Sequence, residues 1–344
     1  MTDSHIGYRI DGYLRSSDDQ PTPRLELVSD TGLPSEVDLR PNCSPVENQG
    51  RVGSCTANSI VGALEYLQIA SGGPMTDLSR MFVYYNARRF SDREGEDCGA
   101  SMAHAMAGLL AFGACPESVW PYDEARWNIK PEQGCYESAV PFRELHYAGV
   151  AANDERKYVL ASGLPIIFGM GVPEHLLMVV GSQTGYMPAP EDGNWERATS
   201  GHAMLIVGYS DTNNAWLVRN SWGTDFGDQG HVWIDYRVMD YYAMGGQDFW
   251  TVGPLDRNKF FRLSGASSQA TQQYAVQQAP PAIQDQIGSF RQDVRTELES
   301  HLDQTRKGLR DRLRGPGAGG GYDKGPGVGG GYDRGPGAGG GYDD

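Results

Sequence analysis

Long apolar runs are missing from this chain. Nothing approaches the roughly 20 consecutive apolar residues of a membrane-spanning helix, so the sequence offers no membrane span. The N-terminal stretch Met1-Thr2-Asp3-Ser4-His5-Ile6-Gly7-Tyr8-Arg9 has neither a basic start nor an apolar core, so it does not read as a secretory signal. The expected location is the cytoplasm, or outside the cell by a route that needs no signal peptide. Positive charge is also scarce. The chain sets 29 Lys and Arg against 44 Asp and Glu, a net charge of −15. Nucleic acid and anionic membranes are polyanions, so this balance excludes them as general partners, while it favours solubility. Cysteine is sparse: five in 344 residues, too few for a disulfide framework. No Cys-x-x-Cys or Cys-x-x-His pair seeds a zinc site, and no metal or cofactor is expected.

Apolar residues are present in quantity. At 39 % of the chain they suffice for a sizeable core. Residues 1–33 are polar and turn-rich, with Ser16 to Pro23 extended or looped, and read as an arm. Leu33 to Arg40 predicts a short strand. Three helices are predicted next. One starts at Cys55, follows Ile60 to Leu67 and stops near Gly72-Gly73; another covers Ser79 to Arg88; a third covers Ser101 to Phe112 and stops at Gly113. After Pro116 the texture turns strand-like, at Pro165–Met170, His202–Tyr209, Ala215–Asn220, His231–Asp235 and Asp248–Val252, with Asp211 to Asn214 as a hairpin turn. A helical half followed by an antiparallel β half predicts an α+β fold of two lobes with a cleft between them.

The chemistry centres on Gln49-Gly50-Arg51-Val52-Gly53-Ser54-Cys55-Thr56-Ala57. A thiol at a helix start meets free backbone N–H groups, which favour the thiolate; the expected pKa is therefore below the free value of about 8.5. A lone cysteine there reads first as a small buried residue capping a core helix. His202 at the start of one predicted strand and Asn220 at the end of the next weigh against that: a base able to take the thiol proton and a neutral group able to hold its ring. Gln49 offers a side-chain N–H₂ which, with the Cys55 N–H, suits a developing oxyanion. The four other cysteines, Cys43, Cys98, Cys115 and Cys135, either remain free thiols, as in a reducing compartment, or form one or two bridges.

These motifs resemble those of the papain family of cysteine peptidases. The matching residues are Gln49-Gly50-x-x-Gly53-Ser54-Cys55 with Ala57, Gly201-His202-Ala203 running into Val207-Gly208-Tyr209, and Asn220-Ser221-Trp222-Gly223-Thr224 with Gly227 and Gly230. The resemblance covers roughly residues 34–255. It implies a papain-like fold with a helical lobe and an antiparallel β-barrel-like lobe. It also implies Cys55 as nucleophile, His202 as general acid and base, Asn220 as orienter, Gln49 as oxyanion donor and Trp222 as a shield over the His–Asn bond. For substrate it implies main-chain pairing at Gly99 and Ala100, where Ala100 replaces a glycine. Gly201, Met102 and Ala203 would lie at a neighbouring pocket that takes an apolar residue second from the cut. Val52 and Thr56 replace the Cys and Trp usual in secreted members, so the disulfide beside the nucleophile cannot form and Cys98 loses its usual partner. The long helical propeptide of many members is absent, as in shorter microbial ones, which suggests the arm as a lid.

The expected organisation is therefore an arm at 1–33, a peptidase domain at 34–262 with a helical lobe about 49–140 and a β lobe about 141–262, a linker at 263–281, an amphipathic helix at 282–314 and disordered Gly-rich repeats at 315–344. Ile287, Leu298 and Leu309 step by eleven along that helix, a period that suits self-association through 283–313 or packing back on the domain. The leading function is cleavage of a polypeptide through a Cys55 acyl-enzyme, restrained by the arm. The alternative is a catalytically silent scaffold acting through its C-terminal helix and tail.

Overall fold

Two short strands of the arm, β1 (Tyr13–Leu14) and β2 (Leu25–Leu27), and a third, β3 (Glu36–Asp38), precede the helices. Helix α1 (Cys55–Ala70) follows the Gly53-Ser54 turn and ends before Gly72, whose φ of +74° is open to glycine and rarely to others. Its residues from Cys55 to Tyr66 are all buried. A helix covered all round carries no polar stripe, which is why this one shows as an apolar run rather than an amphipathic repeat. Helix α2 (Arg80–Arg89) starts where the Ser79 hydroxyl accepts the Phe82 N–H at 3.1 Å. After β4 (Ala100–Ser101), helix α3 (Met102–Phe112) starts where the Ser101 hydroxyl accepts the His104 N–H at 3.2 Å. A short α4 (Gln133–Ser138) completes the helical half.

The computed structural model describes residues 8–16, 25–27, 32–139, 146–150, 153–243, 248–253 and 261–263. The chain divides into units 1–291 and 292–344. The expected linker from 264 on, the helix at 282–314 with its self-association, and the repeats lie outside the described residues. Among those described, no helix is long and apolar enough to cross a membrane.

The second half supplies β5 (His146–Gly149), α5 (Asn153–Ala161), β6 (Ile166–Val172), a wide helical turn at Leu176–Gly181 running into α6 (Ser182–Thr184), and β7 (Tyr186–Met187). It continues with β8 (Ser200–Ser210), β9 (Ala215–Arg219), β10 (His231–Asp235), α7 (Tyr236–Tyr242), β11 (Phe249–Gly253) and β12 (Phe261–Leu263). One sheet runs β5-β11-β6-β8-β9-β10-β7, with β3 also on β8. Its pairs are antiparallel except β10 with β7. The predicted purely antiparallel lobe is therefore a mixed sheet: the turn at 176–184 carries the chain back so that Tyr186–Met187 runs alongside β10. A helical half followed by this sheet gives the expected α+β architecture.

Strand β8 is the axis of this sheet, and α1 packs on it. It turns into β9 through Asp211 to Asn214, Asn214 taking φ +50°. A register shift between Ile206 and Gly208 bends β8 where β3 joins. A Cβ on Gly208 would lie 2.2 Å from the Val37 carbonyl oxygen, so only glycine admits β3 there. At the end of β9, Arg219 donates to the carbonyl of Ser44 and, at 2.6 Å, to that of Pro45. The Gln49 N–H donates to the Ser221 carbonyl at 2.8 Å. The segment leading into α1 is thus tied to the strand that leads to Asn220, which fixes the two halves against each other.

Phe168 of β6 is fully buried, lies opposite Met204 of β8 and stacks on Phe249 with ring centroids 5.6 Å apart. Phe168→Ala should destabilise the fold by about 3–5 kcal/mol, read as a lower urea midpoint at unchanged slope. A shift below about 1 kcal/mol would show that this strand pair is not a rigid support.

Candidate active site

The loop before α1 is held from three directions. The Tyr122 hydroxyl donates to the Gln49 carbonyl at 2.8 Å and lies 2.7 Å from the Ser54 hydroxyl. The Asp97 carboxylate accepts the Gly53 N–H at 3.0 Å and the Tyr84 hydroxyl at 2.5 Å. The Gln49 side chain is fully buried: its Oε1 accepts the Ser221 hydroxyl at 2.6 Å and its Nε2 donates to the Val52 carbonyl at 3.0 Å. That carboxamide has a second N–H left over. Gln49 and Cys55 thus sit at fixed places on one loop.

Across from them, β8 and β9 bring His202 and Asn220 together at 2.8 Å, Nε2 to Oδ1. Asn220 Oδ1 also accepts the Ser221 N–H at 2.8 Å, which identifies it as the carbonyl oxygen. An oxygen there only accepts, so the proton of a neutral ring lies on Nε2 and the lone pair on Nδ1. Nδ1 is buried with no hydrogen-bond partner. The N–H of Ala203, the residue after His202, points at the Cys55 sulfur. Trp222 stacks on the His202 ring, centroids 4.6 Å apart and planes 25° from parallel, and is itself fully buried.

The expected low thiol pKa is not what this arrangement produces. Cys55 is fully buried, and burial pushes its pKa up to about 11, outweighing the N–H groups of Ala203 and Thr56. Burial likewise pulls His202 down to about 4 against the bond from Asn220. Helix-start N–H groups favour a thiolate, but desolvation is the larger effect in a closed site. At neutral pH both groups are uncharged, a thiol and an imidazole. All five cysteines are free.

What closes the site is the arm. Tyr8 stacks on Trp222 at 5.0 Å with planes 7° apart. Arg9 forms an ion pair with the Asp97 carboxylate and donates to the Asp97 carbonyl at 2.5 Å. Gly12 then lies on the nucleophile loop: a Cβ there would fall 2.9 Å from Cys55 Sγ and 2.7 Å from the Gly53 carbonyl oxygen. The Gly12 carbonyl accepts the Ala100 N–H at 3.0 Å, and β1 pairs in parallel with β4, Tyr13 opposite Ala100. Gly99, at φ +78°, lets the strand approach, since a Cβ would come within 2.4 Å of the Gly12 oxygen. Tyr13 lies against Gly201 and Gly169. Farther along, β2 pairs with β12.

Of the residues singled out from the sequence, Gln49, Cys55, His202, Asn220, Trp222, Gly99, Ala100, Gly201 and Ala203 gather around this cleft. Met102 is buried at the first position of α3. The sequence reading missed Tyr8, Gly12, Tyr13, Asp97 and Asp248. Each is an ordinary residue type outside any motif, and only the fold brings them to the site.

A model of the papain family cysteine protease matches residues 33–247. An uncharacterised peptidase C1-like protein of Acanthamoeba polyphaga mimivirus is 32 % identical over 215 residues, 60 % of this chain and 68 % of that one. Pro-cathepsin H of Mus musculus is 31 % identical over 214 residues, 59 % of this chain and 60 % of its own length. Among solved structures, xylellain, a cysteine protease from Xylella fastidiosa, superposes with a TM-score of 0.61 at 32 % identity, over 72 % of this chain and 95 % of that one. The family model spans more than half of the chain: the chain belongs to the papain family of cysteine proteases.

Proposed function

We propose that Cys55, His202, Asn220 and Gln49 carry out the peptidase chemistry of the family, and that residues 8–16 hold that chemistry in check. The observation that carries the reading is the His202–Asn220 hydrogen bond, which leaves the buried Nδ1 lone pair of His202 without a partner in the cleft that holds Cys55. With the cleft open, Nδ1 takes the thiol proton and the sulfur attacks the peptide carbonyl carbon. The carbonyl oxygen becomes an oxyanion facing the Cys55 N–H and the spare N–H of Gln49. His202 then returns the proton to the departing amine as the C–N bond breaks, leaving a thioester. Water, deprotonated by the same nitrogen, attacks the thioester and releases the acid and the thiol. Trp222 over the ring keeps water from the Nε2–Oδ1 bond.

The arm restrains this in two ways. Gly12 occupies the space over the sulfur that a scissile peptide needs. Its burial of the pair also suppresses the charge-separated thiolate–imidazolium form, because the charged forms lose their hydration.

In the full chain, the double substitution Tyr8→Ala with Tyr13→Ala should raise turnover of a fluorogenic peptide amide, and Cys55→Ala should abolish it in both backgrounds. Activity that survives Cys55→Ala would overturn the peptidase assignment of that residue. Turnover unchanged by the arm substitutions would overturn the restraint. A scaffold would show no thiol-dependent turnover in any of these forms.

The shifted imidazole also sets a pH dependence. His202 is lowered from its ordinary 6.5 to about 4, so the unfolded ring takes a proton first. The neutral buried ring therefore contributes stability that is fully present above about 6.5 and lost as the pH falls through about 4. Tm should drop across that interval, and the drop should shrink in His202→Gln. His231, lowered in the same direction by burial and by Arg219, remains in that variant and keeps the rest of the slope. An identical Tm-against-pH curve for parent and variant would contradict a neutral His202.

A further inference from the structure

We propose that Asp248 makes the pocket beside Cys55 selective for a long basic side chain, arginine above lysine, on the acyl side of the bond to be cut. This rests on the peptidase reading of the site and specifies the substrate class that the site takes.

The arm outlines the pocket by filling it. In the register of β6 and β8, Gly169 pairs with Ala203 and Gly171 with Gly201, so these four share one face of the sheet. Small residues on that face leave a trough. The Tyr13 ring lies in it: a Cβ on Gly169 would fall 2.2 Å from Cε2, and one on Gly201 would fall 2.8 Å from Cδ1. Ala203, paired with Gly169, shares that face, but the trough ends on a charge. Asp248 is only 4 % exposed. Its Oδ2 accepts the Tyr13 hydroxyl at 2.5 Å and the Ser16 N–H at 2.8 Å, and its Oδ1 accepts the Trp250 indole N–H at 3.3 Å.

Two of those donors belong to the arm, and Arg15 of the arm adds positive charge beside Tyr13. When the arm gives way to a substrate, all three depart and Oδ2 faces the trough. A buried carboxylate without its donors is costly, and the substrate side chain that enters decides whether it regains them. Leucine supplies nothing. An extended arginine carries its guanidinium about as far from its Cα as a tyrosine carries its hydroxyl, and it brings a compensating charge and a fork of donors. Lysine brings the charge as a single point. The negative end of the trough is therefore matched best by arginine.

The side of the cut follows from the proton path. His202 must face the departing amine, so that amine lies toward Trp222, which stacks on His202. The arm reaches Trp222 with Tyr8 and the trough with Tyr13, on opposite flanks of Gly12 at the sulfur. The trough is on the flank away from Trp222, which is the acyl side.

The test uses the full chain carrying Tyr13→Ala and blocked fluorogenic peptides identical except for Arg, Lys or Leu at each acyl-side position in turn. At one position kcat/KM for Arg should exceed that for Leu by about tenfold or more, with Lys between, and Asp248→Asn should bring the Arg-to-Leu ratio down by about tenfold. Binding of the same peptides, fluorescently labelled, to the chain with Tyr13→Ala and Cys55→Ala separates the two claims. Asp248-dependent preference for Arg in binding without any turnover sinks the peptidase reading and leaves the pocket standing. Equal or better binding and cleavage of the Leu peptides overturns the pocket. A second comparison needs no peptide: Tyr13→Arg should keep Cys55 slow to react with iodoacetamide, whereas Tyr13→Leu should let it react faster. The reverse order overturns the assignment of Asp248.

Discussion

The hydrogen bond between His202 Nε2 and Asn220 Oδ1 is the constraint on which the site depends, and it exists because two strands are held in one register. The bend in β8 at Gly208, the hairpin through Asn214 and the grip of Arg219 on Ser44 and Pro45 all serve to fix it. The same hydrogen bond decides the tautomer, and so places the lone pair on Nδ1. A residue at the end of β9 thereby governs what a residue at the head of α1 can do.

Burial then acts against reactivity. A helix start and two main-chain N–H groups favour a thiolate at Cys55, yet the covered site favours the neutral pair. The arm lies on the site through few contacts: an aromatic plane on Trp222, an ion pair at Asp97, a glycine over the sulfur, and a phenol on Asp248. Gly12 is the necessary element, because any side chain there meets both Cys55 and the Gly53 carbonyl. Under the proposed restraint, solvation of the pair and access to it are coupled, since one segment covers both.

Much of the fold was legible. The three predicted helices of the first half start and stop within a residue or two of α1, α2 and α3, because Ser79, Ser101, Gly72 and Gly113 are local signals that the chain obeys locally. The motifs around Cys55, His202 and Asn220 identified the family, and the structure brings those residues into one cleft. What was not legible depends on distant pairing. Strand β5 shows no strand pattern and forms by pairing with β11. Strand β7 joins β10 in parallel only after the turn at 176–184. The arm read as a polar loop, since its two-residue strand is defined by β4, nearly ninety positions away. The thiol pKa went the other way from expectation for the same reason: a local rule at a helix start cannot register a cover supplied by residues 8–16.

The central claim is that the arm, through Gly12, holds a reactive thiol covered and uncharged. The most direct measurement is the rate at which iodoacetamide modifies Cys55 at neutral pH, followed by peptide mass spectrometry, in the full chain with and without Gly12→Val. The account predicts a many-fold faster modification in the variant, because the added carbons cannot share space with Cys55 Sγ and the Gly53 oxygen and the arm must lift. Equal rates in the two proteins, with the fold intact by circular dichroism, would contradict it.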